Sequence, residues 1–485
     1  MSKKALLVFP KNKLDKIPPL YPPLGIGYIS EALTAAGIAH DILDMRLGHS
    51  FSDLEKKIKE FEPDFIGMTM MTFSYLENYE FLRKIKRLFP HIGIVVGGAH
   101  VSAIKEKILL ACDAIDYAAY QEGEETFVEL CTRPDARAVK GIFYRDRETN
   151  NTIFTGLRPI NPDFNALPFP KFEKFELNKY ITDKIAILTS RGCPYQCTYC
   201  AVGTSIGNAF RPKNPERVLE ELRFWIERGY AKFDFIDDNF TLDPKRAKEI
   251  CRLIKERYDS EVLIECSSGI RADRVDRDLL AAMKEAGFYA LSIPVESASN
   301  KVLRAIKKSQ DIGKIDETIK NACELGFDVT LFFLVGSPTE TMDDVKQSVA
   351  LARKYPVYDV CFHNLVPFPG TELYEWVETN HYFLIRPEEY LNRASLTSFE
   401  PYFQTPEFSR GDRVRALRET RKAKIKIQYR AYLAKYRTFG VFAPAAAYFT
   451  SITALQLFFA KSKPLRKLVN TILSHEKSSR HKQQT

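Results

Sequence analysis

Along the first third of the chain, short apolar runs alternate with stretches whose apolar residues recur at helical spacing. Ala5 to Phe9, Ile42 to Asp44, Phe65 to Thr69, Ile92 to Val96 and Tyr117 to Ala119 read as buried strands. Between them, Ile26 to Ala36 is stopped by Gly37 and Tyr79 to Leu88 stops before Pro90, as helices do. The alternation predicts an open, Rossmann-like α/β domain over residues 1–140. From 141 to 184 the pattern lapses. Asp146 to Asn151 is polar and turn-forming, and Pro159, Pro162, Pro168 and Pro170 interrupt any helix, so this stretch reads as a linker.

Over 185–385 the alternation returns, with apolar runs at Ile185 to Ser190, Phe233 to Ile236, Val262 to Glu265, Ala290 to Pro294, Val329 to Val335 and Tyr358 to Phe362. Six strands in this order predict a partial (β/α)6 barrel of TIM type. The intervening apolar stripes, such as Val218, Leu219, Leu222, Trp225 and Ile226 before Gly229, are its packing faces. Residues 386–485 form a basic helical C-terminal region. Arg410, Arg413, Arg415, Arg418, Arg421, Lys422, Lys424, Lys426 and Arg430 crowd one helical stretch and account for most of the net charge of +9. Thr438 to Ala460 is uncharged, and Leu465, Leu468, Val469, Ile472 and Leu473 follow at helical spacing. Gly440 and Pro444 leave only about sixteen helical residues before Lys461, short of the ~20 of a membrane span. Membrane-surface binding, a structural cap on the barrel and nucleic-acid binding stay open for this region.

With 45% hydrophobic and 27% charged residues in 485, the chain can bury several cores and is not a disordered one. Met1-Ser2-Lys3-Lys4 precedes too short an apolar run for a signal peptide. The nine cysteines are scattered except for one triplet, which argues against a disulfide framework and for a reducing cytoplasm.

That triplet, Cys193, Cys197 and Cys200, carries the sharpest chemistry. Spaced CxxxCxxC at the end of a strand, it offers a 4Fe-4S cluster three thiolates and leaves one iron open. A structural zinc site is the alternative, but zinc takes four ligands, and no second CxxC or nearby histidine supplies them. Arg-Gly-Cys-Pro-Tyr-Gln-Cys-Thr-Tyr-Cys resembles the signature of the radical S-adenosylmethionine (SAM) superfamily. The resemblance implies that the three cysteines hold the cluster, that its open iron chelates SAM, and that Tyr199 lies near the adenine. It also implies SAM contacts at Asp237, Asp238 and Asn239, at Arg271, at Glu296, and at Gly336, Ser337 and Pro338. Taken singly, Asp237 and Glu340 also suit helix caps.

The first domain resembles the cobalamin-binding domain that precedes some radical SAM barrels. The resemblance rests on Pro-Pro-Leu-Gly-Ile-Gly-Tyr, Val-Gly-Gly-Ala-His-Val-Ser-Ala and Glu-Gly-Glu-Glu-Thr-Phe. It implies cobalamin contacts at Pro23, Leu24, Gly25, Thr69, Met71, Thr72, Gly97, Gly98, His100, Glu122, Gly123 and Glu124. The Asp-x-His-x-x-Gly motif that gives cobalt a histidine is absent after the first strand, so His100 is not taken as a cobalt ligand. A domain that keeps the fold without the cofactor is the alternative.

The chain thus resembles the class that includes hopanoid-lipid methylases and the anaerobic Mg-protoporphyrin oxidative cyclase. What that implies is a cobalamin-dependent methyltransferase acting on an unactivated carbon of a lipid-like, pigment or other small-molecule substrate. One SAM would methylate cobalamin, and cleavage of a second would activate the substrate. A reduced ferredoxin or flavodoxin-type donor would supply electrons, in the cytoplasm or at the inner membrane surface, with no nucleic acid. A non-methylating cyclase or oxidase and a non-catalytic cobalamin-binding protein are the other readings. Methylthiolation of tRNA is disfavoured, because that class carries a cysteine triplet in a different N-terminal domain, whereas here the first cysteine is Cys112.

Overall fold

In the computed structural model the described residues are 3–451, except 14, 16–18, 147, 259–260 and 394–398. The apolar residues 452–460 and the stripe from Leu465 to Leu473 lie outside the described residues. The first sheet contains β1 (Ala5–Phe9), β2 (His40–Asp44), β3 (Phe65–Thr69), β4 (Gly93–Gly97), β5 (Tyr117–Ala119), β6 (Ile142–Arg145) and β7 (Thr152–Phe154). Its strand order is β2-β1-β3-β4-β5-β6-β7. β1 to β5 run parallel, with Leu7 opposite both Ile42 and Gly67. Period-2 alternation sends Leu6, Val8, Ile66, Met68, Ile94 and Val96 to one buried face and Ala5, Leu7, Phe65 and Val95 to the other. Helices cover both faces, which is why these strands read as unbroken apolar runs.

The stretch expected to be a linker does more than connect. β6 and β7 pair antiparallel and extend the first sheet beyond β5. The polar residues read as a loop form the hairpin turn instead: the Asp146 carboxylate accepts from the Glu148 and Thr149 amides. Phe143 stacks on Phe154 at 4.4 Å. The proline-rich remainder then crosses to the second domain, where buried Phe172 lies 5.8 Å from the Trp225 ring.

The second sheet contains β8 (Lys184–Ile187), β11 (Lys232–Phe235), β12 (Leu263–Cys266), β13 (Phe288–Glu296), β14 (Asp328–Val335) and β15 (Asp359–Asn364), all parallel and in the order β15-β14-β13-β12-β11-β8. This is the expected open six-stranded barrel. Ile185, Ile187, Phe233, Phe235, Ile264, Leu291 and Val329 pack outward on the helices through Val218, Leu222, Trp225, Ile250, Leu279 and Ile319. A short antiparallel pair, β9 (Ser190–Arg191) and β10 (Arg211–Pro212), brackets the cysteine loop.

The basic C-terminal stretch is a helix, Arg410–Lys435, capped by the Ser409 side chain. Its buried stripe, Arg413, Ala416, Leu417, Thr420, Ala423 and Ile427, lies against the β15 side of the barrel. Lys424 approaches Asp359 at 3.5 Å, and Arg430 donates to the Tyr355 carbonyl at 2.7 Å. The helix is therefore a structural cap on the barrel, with Arg415, Arg418, Arg421, Lys422 and Lys426 outward. Among the described residues no helix is long and apolar enough to cross a membrane.

Arg413 ties this cap to the loop after β14. Gly336 adopts φ 106°, and a Cβ there would lie 2.3 Å from the Arg413 guanidinium, so only glycine fits. Fully buried Glu340 accepts from the Gly336 and Ser337 amides at 2.5 and 3.1 Å. Burial outweighs these donors and Arg413, and pushes the Glu340 carboxyl up to about 7. Because the folded value lies above the unfolded one, ionising Glu340 removes stability as pH rises from about 4.5 through 7. Glu340→Gln should therefore gain on wild type by roughly 2 kcal/mol between pH 5 and pH 8, read from denaturant unfolding at the two pH values.

Candidate active site

The cysteine loop starts where β8 ends, at the carboxyl end of the barrel. Its first turn needs glycine: Gly192 has φ 83°, and a Cβ would meet the Ala209 carbonyl oxygen at 2.2 Å. Asp237 and Asp238, just after β11, hold the loop from beneath. Asp237 is buried, and its oxygens accept from the Thr189 amide at 2.5 Å, from the Thr189 hydroxyl, and from the Ser190 hydroxyl at 2.8 Å. Asp238 accepts from the Gly192 amide at 2.9 Å. Cys193 and Cys197 are half-buried and Cys200 is exposed. Among the described residues no three His, Cys, Asp or Glu side chains stand in a closed metal-ligand arrangement.

Around this loop stand the other barrel strand ends. Glu296 ends β13 in the left-handed region, φ 64°, a strained backbone for a side-chain-bearing residue. It accepts from the Tyr199 hydroxyl at 2.8 Å and pairs with buried Lys308 at 3.0 Å. Arg271 lies over the Tyr195 ring at 3.3 Å and donates to the Lys308 and Ser309 carbonyls at 2.8 and 2.7 Å. Buried oxygens of Asn239, Ser337 and Thr339 have no hydrogen-bond partner. Left so, each would cost free energy. They fit a ligand that brings N–H and O–H donors to the barrel mouth.

The carboxyl edge of the first sheet faces this mouth. After β5, Glu122 pairs with Arg191 at 3.0 Å and with Arg211 at 2.5 Å, while Glu124 pairs with Arg191 at 2.6 Å. The Arg191 guanidinium also lies 4.5 Å from the Tyr28 ring. After β3, the Ser74 amide donates to the Leu391 carbonyl at 2.8 Å, and Phe73 packs edge-on against Phe368 at 5.2 Å. After β1, the Ile181 amide donates to the Pro19 carbonyl at 3.0 Å, and Tyr21 bonds with Asp234 and Ser267. Two sets of strand ends thus oppose each other across one space.

The family model of the radical SAM superfamily matches residues 187–352, and that of the B12 binding domain matches residues 13–131. The chain therefore carries a B12 binding domain followed by a radical SAM domain. An uncharacterized methyltransferase of Pyrococcus horikoshii is 29% identical, covering 80% of this chain and 84% of that one. The cytidylyl-2-hydroxyethylphosphonate methyltransferase of Streptomyces wedmorensis is 28% identical over 81% and 84%. The anaerobic magnesium-protoporphyrin IX monomethyl ester cyclase of Cereibacter sphaeroides is 24% identical over 73% and 60%. The solved structure of OxsB, a cobalamin-dependent SAM radical enzyme, superposes with a TM-score of 0.75 at 16% identity, covering 98% of this chain and 75% of that one.

In the B12-binding domain the residues picked out from the sequence divide in two. Gly25 and Met71 are exposed on the carboxyl edge, a ledge along which Pro23, Leu24, Thr69, Gly97, Gly98 and Gly123 are partly buried and Thr72 is buried. Glu122 and Glu124 are instead committed to the arginines of the radical SAM domain. His100 turns into the core, stacked on Tyr75 at 4.7 Å with its Nε2 bonded to the Tyr79 hydroxyl at 3.0 Å. Burial pulls His100 down to about 4, so it is neutral at physiological pH. In the barrel, Asp237 and Asp238 carry the loop rather than face the mouth, and Asn239 keeps an open oxygen. Sequence reasoning did not single out Arg191, Arg211 or Lys308. Only Arg191 had a signal, its place two residues before Cys193.

Arg191 and Glu124 are both buried, so removing one strands the other. Arg191→Met should cost on the order of 3–5 kcal/mol, read as a fall in Tm, and adding Glu124→Leu should recover part of it.

Proposed function

We propose that this radical SAM enzyme transfers a methyl group to an unactivated carbon of a lipid-like or pigment substrate held between its two domains. In this reading Cys193, Cys197 and Cys200 hold a 4Fe-4S cluster. SAM lies over the barrel mouth, against Tyr199, Asn239, Arg271, Glu296 and the Gly336-Ser337-Pro338 loop. Cobalamin lies on the ledge from Gly25 to Gly98. When bound, these groups supply the methyl transfer and the radical that opens a C–H bond; the chain supplies position and shelter.

The observation that carries the reading is the opposition of the two carboxyl edges, with the Glu122 pairs to Arg191, two residues before the first cysteine, and to Arg211, its neighbour on the paired strand. Strand ends are where ligands bind in both architectures, and here the two sites share one space. Within it, the Asn239, Ser337 and Thr339 oxygens accept from the methionyl ammonium and ribose hydroxyls. Glu296, oriented by Tyr199 and Lys308, faces the ribose. Asp237 and Asp238 fix the loop so that the thiolates need little reorganisation. The domain contacts at Phe73, Ser74 and Tyr21 exclude water from the space between. The methyl transfer named for the Pyrococcus and Streptomyces relatives supports the reaction, and the porphyrin named for the Cereibacter relative supports a pigment as substrate.

The C-terminal region supports contact with a membrane surface. Val441, Phe442, Tyr448 and Phe449 are exposed beside Lys435 and Arg437. Isolated apolar side chains are ordinary on a surface, but four in a short uncharged segment that follows a basic helix suit an anionic interface. Phe442→Asp combined with Phe449→Asp should weaken sedimentation with phosphatidylglycerol vesicles at least about fivefold while leaving Tm unchanged.

Protein reconstituted anaerobically with iron, sulfide and hydroxocobalamin, then given dithionite and SAM, should form 5'-deoxyadenosine and retain stoichiometric corrinoid. Alanine at Cys193, Cys197 or Cys200 should abolish deoxyadenosine and the cluster's visible absorbance with the far-UV spectrum intact; full activity in any of them would sink the cluster assignment. Product mass with methyl-labelled SAM separates methylation from cyclisation.

A further inference from the structure

We propose that the cleft beside the cysteine loop is the docking surface for a small acidic one-electron carrier protein that reduces the cluster. The inference rests on the cluster assignment above. The cleft, about 430 Å³, is lined by Pro194, Tyr195 and Gln196 on one side and by Arg304, Lys307 and Gln310 on the other. Its first wall is the segment between the first two cysteines. A protein seated there is separated from the thiolates by the thickness of one loop.

The rim is cationic. Arg304 is exposed and has no ion pair among the described residues. Arg274, also exposed, donates to the Tyr195 hydroxyl at 2.9 Å, which holds its guanidinium at the cleft. Behind the rim, buried Arg271 lies over the Tyr195 ring at 3.3 Å, and Lys308 is buried as well. The acidic groups are already engaged. Glu372 pairs with Lys307 at 2.7 Å, Asp273 with Arg271 at 2.7 Å and Glu296 with Lys308 at 3.0 Å. Arg274 and Arg304 remain as the surplus, and exposed surplus charge steers a partner of opposite sign.

The chemistry calls for such a partner. The carrier is oxidised by one electron and the cluster reduced by one, with no bond made and no proton moved in that step. Low-potential carriers of the ferredoxin or flavodoxin type match a cationic face if their own docking surface is acidic. An open, partly polar cleft with an aromatic floor suits a transient complex, in which charge sets the encounter rate.

The test uses the reconstituted full chain with Arg274→Glu and Arg304→Glu together. With an enzymatically reduced flavodoxin as donor, the KM for flavodoxin in deoxyadenosine formation should rise roughly tenfold, and added salt should weaken the wild type toward the variant. Calorimetric binding of oxidised flavodoxin should weaken by a similar factor. Dithionite-driven deoxyadenosine formation and iron content should stay at wild-type levels. The single variant Arg304→Ala, a milder change, should move the flavodoxin KM in the same direction by roughly threefold. Unchanged flavodoxin binding and KM overturn the docking surface, as does an equal loss with dithionite and with flavodoxin. Wild type that forms no deoxyadenosine with dithionite overturns the cluster assignment itself.

Discussion

The arrangement of the molecule depends on four buried or half-buried charges at the seam between its domains. Arg191 and Arg211 come from the short strand pair that brackets the cysteine loop; Glu122 and Glu124 come from the end of the first sheet. Burying such charges is costly, and the cost is offset only while all four remain together. An interface built from apolar contact alone would tolerate sliding. Here three specific charge pairings hold the carboxyl edges of the two sheets face to face.

The same economy of position governs the cysteine loop. Its conformation is fixed by groups that leave the thiols uncommitted: the left-handed Gly192, the Asp238 acceptor on its amide, and Asp237 on Thr189 and Ser190. A carboxylate aimed at backbone N–H groups rigidifies a loop with little side-chain entropy cost. The aspartates read from the sequence as ligand contacts are, in the folded chain, mostly the loop's foundation. What faces the mouth instead is a set of unpartnered oxygens and the strained Glu296.

The C-terminal helix shows charge put to a structural end. Its density of arginine and lysine suggested a surface for lipids or acidic partners, yet its buried stripe packs on the barrel beside β15. Arg413 is even driven inside, stacked 4.2 Å from Phe403 and held against Gly336. The C-terminal extension and the glycine loop at the barrel mouth are therefore mechanically linked. The exposed aromatic segment that follows is free to serve a different purpose.

Much of this was legible in the sequence because it is local. Strand and helix periods, the glycines at special backbone angles and the cysteine spacing are properties of neighbouring residues, and they indicate the parallel strands of both sheets with ends within about three residues. The hairpin hidden in the proline-rich stretch was missed because β6 and β7 are short and half-polar, so only pairing to β5 makes them strands. Whether Glu122 meets a cofactor or an arginine could not be read from Glu-Gly-Glu-Glu, since its partners stand 69 and 89 residues away. His100, read as a cobalamin contact though not as a cobalt ligand, turns into the core for the same reason. By itself, the sequence determined the parallel strands, the helices between them and the spacing that puts three cysteines on one short loop. The tertiary structure alone decided which polar groups face the shared space and which hold it together, because burial and charge pairing depend on residues distant in the chain.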